Sequence, residues 1–221
     1  MRVDLHVHTY PASSCSSITY RDLIACCQEQ QLPAIALTNH GDVSDNRRLE
    51  GPLADIGTVL VHGVEISTLW GDFIVYSPDL DYLAGFSEIQ AVPQAGTIAD
   101  DAAIVWVHPA AGGGLSRSTY YAALAHEVAP LIDAVEVWNG NWTGTSYVET
   151  AARLARMLGL PATAGSDAHK SDRIGLCTTE IAGDVCSTAD VVAAIKAGTV
   201  APVAPQPAGR GVGHLFDRFR R

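Results

Sequence analysis

Short apolar runs alternate along the chain with longer stretches in which apolar residues recur at helical spacing. Residues 2–7 read as a first strand. Thr19 then offers an N-cap with Asp22 three positions on, and Leu23, Ile24 and Cys27 follow the spacing of a helix that Pro33 ends. Residues 34–37, 59–66, 73–76 and 103–107 are four further β-like runs, the last closing at His108-Pro109. A helix is expected near residues 119–128, a strand over 134–138, and a helix over 147–158 that Gly159 stops. Residues 161–164 are a seventh strand and 176–181 an eighth. Ser187 or Thr188 caps a last helix that ends at Gly198.

This alternation predicts an α/β fold with a parallel sheet and helical crossovers. A closed barrel accounts for it best, and barrels of this kind carry active residues at the C-terminal ends of their strands. His8, His40, Glu65, His108, Asn139 and Asp167 all fall at or just past predicted strand ends. An open doubly wound sheet is the alternative, but neither a Gly-x-Gly-x-x-Gly after the first strand nor a Walker motif is present. Gly112-Gly113-Gly114 reads as a flexible loop. Residues 1–201 are expected to form one barrel domain. Residues 202–221 read as a Pro/Gly-rich linker and a basic tail that ends in a short terminal helix.

Composition narrows the setting. The chain has 221 residues, 48% hydrophobic and 17% charged, enough for one domain with a substantial core. No apolar run approaches the roughly 20 residues that span a bilayer. A metal-type motif beginning at residue 4 leaves no room for a signal peptide ahead of it, so a cytoplasmic protein is expected. Five cysteines at irregular spacing form neither a disulfide framework nor a Cys-x-x-Cys zinc pattern. A formal net charge of −10 makes long nucleic acid an unattractive partner, whereas a small phosphorylated substrate stays compatible, because bound cations reverse the local field. The oligomeric state is not legible.

The chemistry lies in histidines and carboxylates. His6 and His8 stand two apart, which on a strand puts both imidazoles on one face, roughly 6–7 Å apart along the backbone. Such a pair can converge on one cation at about 2.0–2.1 Å. Asp167 and His169 repeat the spacing in the small-residue setting Gly165-Ser166-Asp167-Ala168-His169, where the alternative is a turn with a capping Asp. Glu65 ends a buried run and needs a compensating charge, from a cation or from a salt bridge. His40 and His108 follow apolar runs of their own. His62 points away from Glu65 and reads as structural, and His126 and His214 read as surface residues.

Taken together, Asp4-Leu5-His6-Val7-His8-Thr9, Leu37-Thr38-Asn39-His40, Gly63-Val64-Glu65-Ile66, His108-Pro109 and Gly165-Ser166-Asp167-Ala168-His169 resemble the PHP (polymerase and histidinol phosphatase) superfamily. The matches occur in the family's order from residue 4 to about residue 175. The resemblance implies a distorted (β/α)7 barrel with two or three divalent metal ions (zinc, manganese or iron) at the C-terminal ends of its strands. It implies that His6, His8, Glu65 and Asp167 hold one ion, that Glu65 bridges to a second held also by His108, and that His40 and His169 belong to a third. Three positions depart from the family pattern. Asn39 stands where an Asp is usual and is expected to orient His40. Phe73 stands at the place of a further His, which implies a weak or missing second ion. Cys15 lies in a first loop that lacks the usual acidic or His ligand and reads as a soft ligand or a plain buried thiol.

The expected activity is metal-dependent hydrolysis, foremost of a phosphate ester of a small metabolite or nucleotide, through a water activated by the metal. Lys170 and Arg173 follow the Asp167-His169 pair and are the candidates for contacting phosphate, against a reading as solvated loop residues. Asn139 and Asn141 are candidates for positioning substrate. Trp138 and Trp142 would line a pocket or, for Trp138, pack in the core. The same chemistry could cleave C–N or C–O bonds, and a non-catalytic domain that keeps its metals is the third reading.

Overall fold

The structure is a computed structural model that describes residues 1–91, 98–111, 125 and 127–205. The Gly112–114 run, most of the helix expected at 119–128, His126, His214 and the tail from residue 206 lie outside the described residues.

Nine strands form one sheet among the described residues: β1 Arg2–Asp4, β2 Ala34–Leu37, β3 Val59–Thr68, β4 Gly71–Tyr76, β5 Ala103–Val107, β6 Ala134–Asn139, β7 Ala162–Gly165, β8 Thr178–Ile181 and β9 Val200–Val203. The spatial order is β7-β6-β5-β4-β3-β2-β1-β8-β9. The β1–β2–β3 and β5–β6–β7 pairs are parallel, while β4 runs antiparallel to both neighbours. The sheet curls back on itself. Beyond β1, the His8 N–H donates to Ala168 O (3.0 Å) and the Ala168 N–H to His6 O (3.3 Å), which joins the two edges at the C-terminal end. At the other end Thr179 of β8 fills the gap, its hydroxyl donating to Ala164 O and accepting from Ala164 N, both at 2.8 Å. The α/β barrel expected from the sequence is therefore present, nearly closed, with β4 and β8 running antiparallel to their neighbours.

β4 departs from the expected parallel sheet for a simple reason. Only Leu69 and Trp70 separate β3 from β4, and a parallel crossover needs a dozen residues or more. The first strand is also shorter than expected. The Asp4 carboxylate accepts from the N–H groups of His6, Ser166 and Gly175, so the ladder stops there and the chain turns His6 and His8 into the mouth.

Helices cover the outside and the floor. α1, Tyr20–Gln30, begins with the capping box of Thr19 and Asp22 and stops at Gln31 in the left-handed region. With α2, Ser44–Ala54, it encloses Ile35, Leu37, Leu49 and Leu53 in one apolar cluster. A one-turn helix, α3, spans Leu80–Leu83. α4, Thr145–Leu158, buries Tyr147, Ala151, Leu154 and Ala155 against Val64, Ile66, Phe73, Val75 and Val135. α5, Thr188–Ala197, is capped by Ser187 and sets Val191, Val192 and Ile195 against Val61, Ile74 and Val105. No described helix is long and apolar enough to cross a membrane.

Candidate metal centre

The C-terminal ends of the strands converge on one buried cluster of imidazoles and carboxylates. Glu65, 2% exposed on β3, is its hub. Its Oε2 lies 3.3 Å from His6 Nε2, 3.1 Å from His8 Nε2 and 3.4 Å from His40 Nδ1. Its Oε1 lies 3.0 Å from His108 Nε2. Asp167 Oδ1 completes the near side, 3.5 Å from His6 Nε2, 3.4 Å from His8 Nε2 and 3.5 Å from His169 Nδ1. The imidazoles of His40 and His169 stack on His8 at centroid distances of 4.5 and 4.4 Å. All seven candidate ligands, spread from residue 6 to residue 169, are thus brought together.

The backbone is shaped for this crowding. A Cβ on Gly165 would stand 2.3 Å from His6 Cβ, and one on Gly140 would stand 2.1 Å from Ser166 O. His108 and Asp167 hold φ of 30° and 50°, a region that costs a non-glycine residue on the order of 1 kcal/mol or more. The strain sits at two of the clustered side chains.

The electrostatics follow from the carboxylates. Burial works against a charged His6, but Asp167, Glu65 and Glu136 outweigh it and hold the imidazolium well above its ordinary value. His108, also buried, is raised to about 9 by Glu65. Glu65 is held well below the carboxylate range despite its burial, chiefly by His6 and His108. Burial lowers His40 and His169. A field that draws protons onto buried imidazoles also favours a divalent cation.

Metal ions fit this donor set. Three groups have ligand atoms within 4.8 Å of one another: His6, His8 and Asp167; His6, Glu65 and His108; His8, His40 and His169. They share His6 and His8 and so form one continuous cluster. Among the described residues the buried His40 Nδ1 has no hydrogen-bond partner. Mixed imidazole and carboxylate donors suit zinc, manganese or iron.

Several supporting residues have weak sequence signatures. Glu136, 2% exposed on β6, places Oε1 3.1 Å from His6 Nδ1 and accepts at Oε2 from the N–H of His108 (3.0 Å) and from Asn139 Nδ2 (2.9 Å). The only signal was a carboxylate inside the apolar run Val135-Glu136-Val137. A register shift between Glu136 and Trp138 brings Glu136 and Asn139, three apart, onto one face. Asp4 braces the closure of the barrel, and burial raises its carboxyl to about 6.

Comparison with known proteins matches this architecture. The family model PHP_C, described as PHP-associated, matches residues 146–200. No curated protein matches the chain. Among solved structures, a two-domain protein from Bacteroides vulgatus containing a predicted PHP-like metal-dependent phosphoesterase superposes with a TM-score of 0.66 at 18% identity, over 93% of this chain and 65% of that one. PsfC from Pseudomonas syringae gives 0.65 at 17% identity, over 92% and 91%. An amidohydrolase from Chromobacterium violaceum gives 0.63 at 17% identity, over 94% and 99%. The chain has the PHP fold.

Within the PHP pattern, the three departures read differently in the structure. Phe73 is not at the site: it pairs with Ile66 on β3 and packs against Trp106 on the outer face. The preceding residue, Asp72, reaches the cluster instead, with Oδ2 3.6 Å from His108 Nδ1. Cys15 is exposed rather than buried. Asn39 does not hold His40 directly. Its side chain binds Thr9 and Ser13, and it is Ser13 Oγ that accepts the His40 N–H at 3.1 Å.

The residues picked for substrate contact separate in the same way. Asn139 is fully buried, bonded to Glu136 and to Asp167 Oδ2 at 3.3 Å. Asn141 donates to Asp167 O at 2.8 Å. Lys170 is exposed directly after His169. Arg173 is exposed on a short 3-10 turn, Ser171–Arg173, and neither cation has an ion-pair partner among the described residues. Trp142 is 38% exposed beside Tyr147, while Trp138 is partly buried against the core. His62 faces away from the cluster, 3.7 Å from Glu50.

Proposed function

We propose that this chain is a metal-dependent phosphoesterase that hydrolyses a small phosphorylated metabolite or nucleotide. The observation that carries the reading is the continuous cluster of three potential ion-binding groups sharing His6 and His8. Ions held by these ligand groups would neutralise several oxygens of one phosphoryl group together, as a phosphate ester requires. Two or three ions of zinc, manganese or iron, when bound, supply electrophilic stabilisation of those oxygens and a more acidic water.

The chain's own residues supply the rest. His6, His8 and Asp167 would hold the inner side, and the two oxygens of Glu65 face different histidines, Oε2 toward His8 and Oε1 toward His108. Glu136 receives the Nδ1 proton of His6 and leaves Nε2 turned to the cluster. Asn139 and Asn141 hold Asp167 in place, so both act as positioning residues. Lys170, at the rim, is assigned to the incoming phosphate, with Arg173 as its weaker companion.

A cavity of about 380 Å³ lined by Thr68, Trp70, Asp72, His108 and Pro109 opens beside the cluster and would take the leaving group. Its size suits a small molecule rather than a duplex. Five free thiols fit a reducing, cytoplasmic setting.

The deciding experiment is metal analysis of protein made without chelators, followed by a screen of phosphomonoesters, phosphodiesters and amides. The reading requires phosphate release that chelation abolishes and metal restores. Amide cleavage without phosphate release would overturn it.

A further inference from the structure

One hydrogen-bonded relay runs from the surface to His8 without touching any other candidate ligand side chain. Arg48 Nη1 donates to Tyr20 Oη (2.5 Å), which donates to Asp45 Oδ1 (2.5 Å). Asp45 Oδ2 accepts from Thr9 Oγ1 (2.7 Å). Thr9 Oγ1 accepts from Asn39 Nδ2 (2.9 Å). Asn39 Oδ1 accepts from Ser13 Oγ (2.8 Å) and from the Thr9 N–H (2.8 Å). Ser13 Oγ accepts the His40 N–H (3.1 Å) and faces His8 Nδ1 at 3.3 Å. Asp45, Thr9, Asn39, Ser13 and His8 are all at most 1% exposed, so water cannot substitute for a missing partner.

Donor and acceptor counting leaves one polarity. The Thr9 N–H can only donate, which forces Asn39 to present its oxygen there and its NH2 to Thr9 Oγ1. The single proton of Thr9 goes to Asp45. The single proton of Ser13 goes to Asn39 Oδ1, because otherwise two oxygens would face each other at 2.8 Å with no proton between them. Ser13 therefore meets His8 Nδ1 as an acceptor. We infer that Ser13, Asn39 and Asp45 are positioning residues that fix the proton of His8 on Nδ1 and keep Nε2 open toward Glu65 and Asp167 for metal.

This polarity also explains Asn39. An Asp at that position would set a second carboxylate oxygen against Thr9 Oγ1, whose one proton Asp45 already takes. Asn39 and Asp45 act as a matched pair, with the acidic group moved six positions along the chain.

The inference rests on His8 being a metal ligand, and its test is metal binding rather than turnover. Zinc affinity of the full chain is measured by competition with a chelating dye, and histidine ring 15N shifts are recorded in the zinc-loaded protein. His8 is expected to carry its proton on Nδ1. Ser13→Ala and Asn39→Asp are expected to weaken zinc binding by about 10- to 100-fold, Asp45→Asn by about tenfold, and Ser13→Thr, which keeps the hydroxyl, by little. Folded variants with wild-type zinc affinity, or a His8 proton on Nε2, would overturn the inference and leave the metal centre standing. A wild-type chain that binds no zinc would remove the metal centre and the inference with it. Should the alanine and aspartate variants fail to fold, the wild-type spectrum and Ser13→Thr decide alone.

Discussion

β3 buries two titratable side chains on opposite faces, Glu65 toward the mouth and His62 toward the floor, and their environments differ. Glu65 faces four histidines within 3.4 Å. His62, three residues earlier on the opposite face, has Glu50 as its charged partner, 3.7 Å away and largely exposed. Burial lowers His62, whereas the neighbouring carboxylates raise His6 and His108 against their own burial. A buried ionisable residue therefore says little about function. Convergence of several such groups with opposite charge preferences is what marks the mouth as chemical and the floor as structural.

The largest expected contrast comes from removing one residue at each end. Glu65→Gln should cost at least about a hundredfold in metal affinity and abolish hydrolysis, since this one carboxylate faces four of the clustered histidines. His62→Leu should leave metal content and turnover within about twofold. Metal analysis and a phosphate-release assay on both variants check this. Equal losses in the two would mean that β3 acts only as scaffold.

Gly165→Ala is the next sharpest cut. Its Cβ would meet His6 Cβ at 2.3 Å and the His6 nitrogen at 2.9 Å, both in a closely packed layer. A loss of about 1–3 kcal/mol in unfolding free energy is expected, with metal affinity reduced in the protein that remains folded. Gly183→Ala is the matched control, because nothing lies within 4 Å of its Cβ position. Strain from its φ of 89° would appear as stability loss alone.

The sequence carried much of this division, but not evenly. The Thr19 cap, the Gly159 and Gly198 stops and the apolar strand runs are local signals, and they survive in the structure. α2 left no such signal, because Ser44-Asp45-Asn46-Arg47-Arg48 is polar and Gly51-Pro52 discourages a helix. The candidate ligands were legible because histidines at strand ends stand out against apolar runs. Ser13, Asp45 and Glu136 were not, since a loop serine, a helix aspartate and a strand glutamate each look ordinary until the fold sets them beside a ligand. Phe73 was misplaced for a related reason: matching a motif gives a position along the strand, whereas the cross-strand pairing decides which face it occupies.

Acidity divides the two ends in opposite directions. In chelator-treated protein His108, held at about 9, keeps its proton more tightly when folded. Its stabilisation is complete below the unfolded value of about 6.5 and is lost as pH rises toward 9. His62 is lowered, so its contribution is complete above about 6.5 and is lost as pH falls. Melting temperature against pH should therefore lose part of its alkaline slope in His108→Ala and part of its acid slope in His62→Leu. The same slope lost in both variants would refute the assignment.

The smallest effect uses one exposed thiol near each end. Cys15 follows the Ser13 contact with His8 and His40, and its thiol is raised by partial burial and by the charges of Glu65 and Asp167. Cys186 lines the cavity beside His62 at the floor. A cation bound between Glu65 and Asp167 cancels the charge that disfavours the Cys15 thiolate, and the thiolate is the reactive form. Manganese, which binds thiols weakly, should speed iodoacetamide labelling of Cys15 by about twofold and leave Cys186 unchanged. Cys27, buried and pushed up to about 12, should label only on unfolding. Equal acceleration at both exposed thiols would place the cation somewhere other than the mouth.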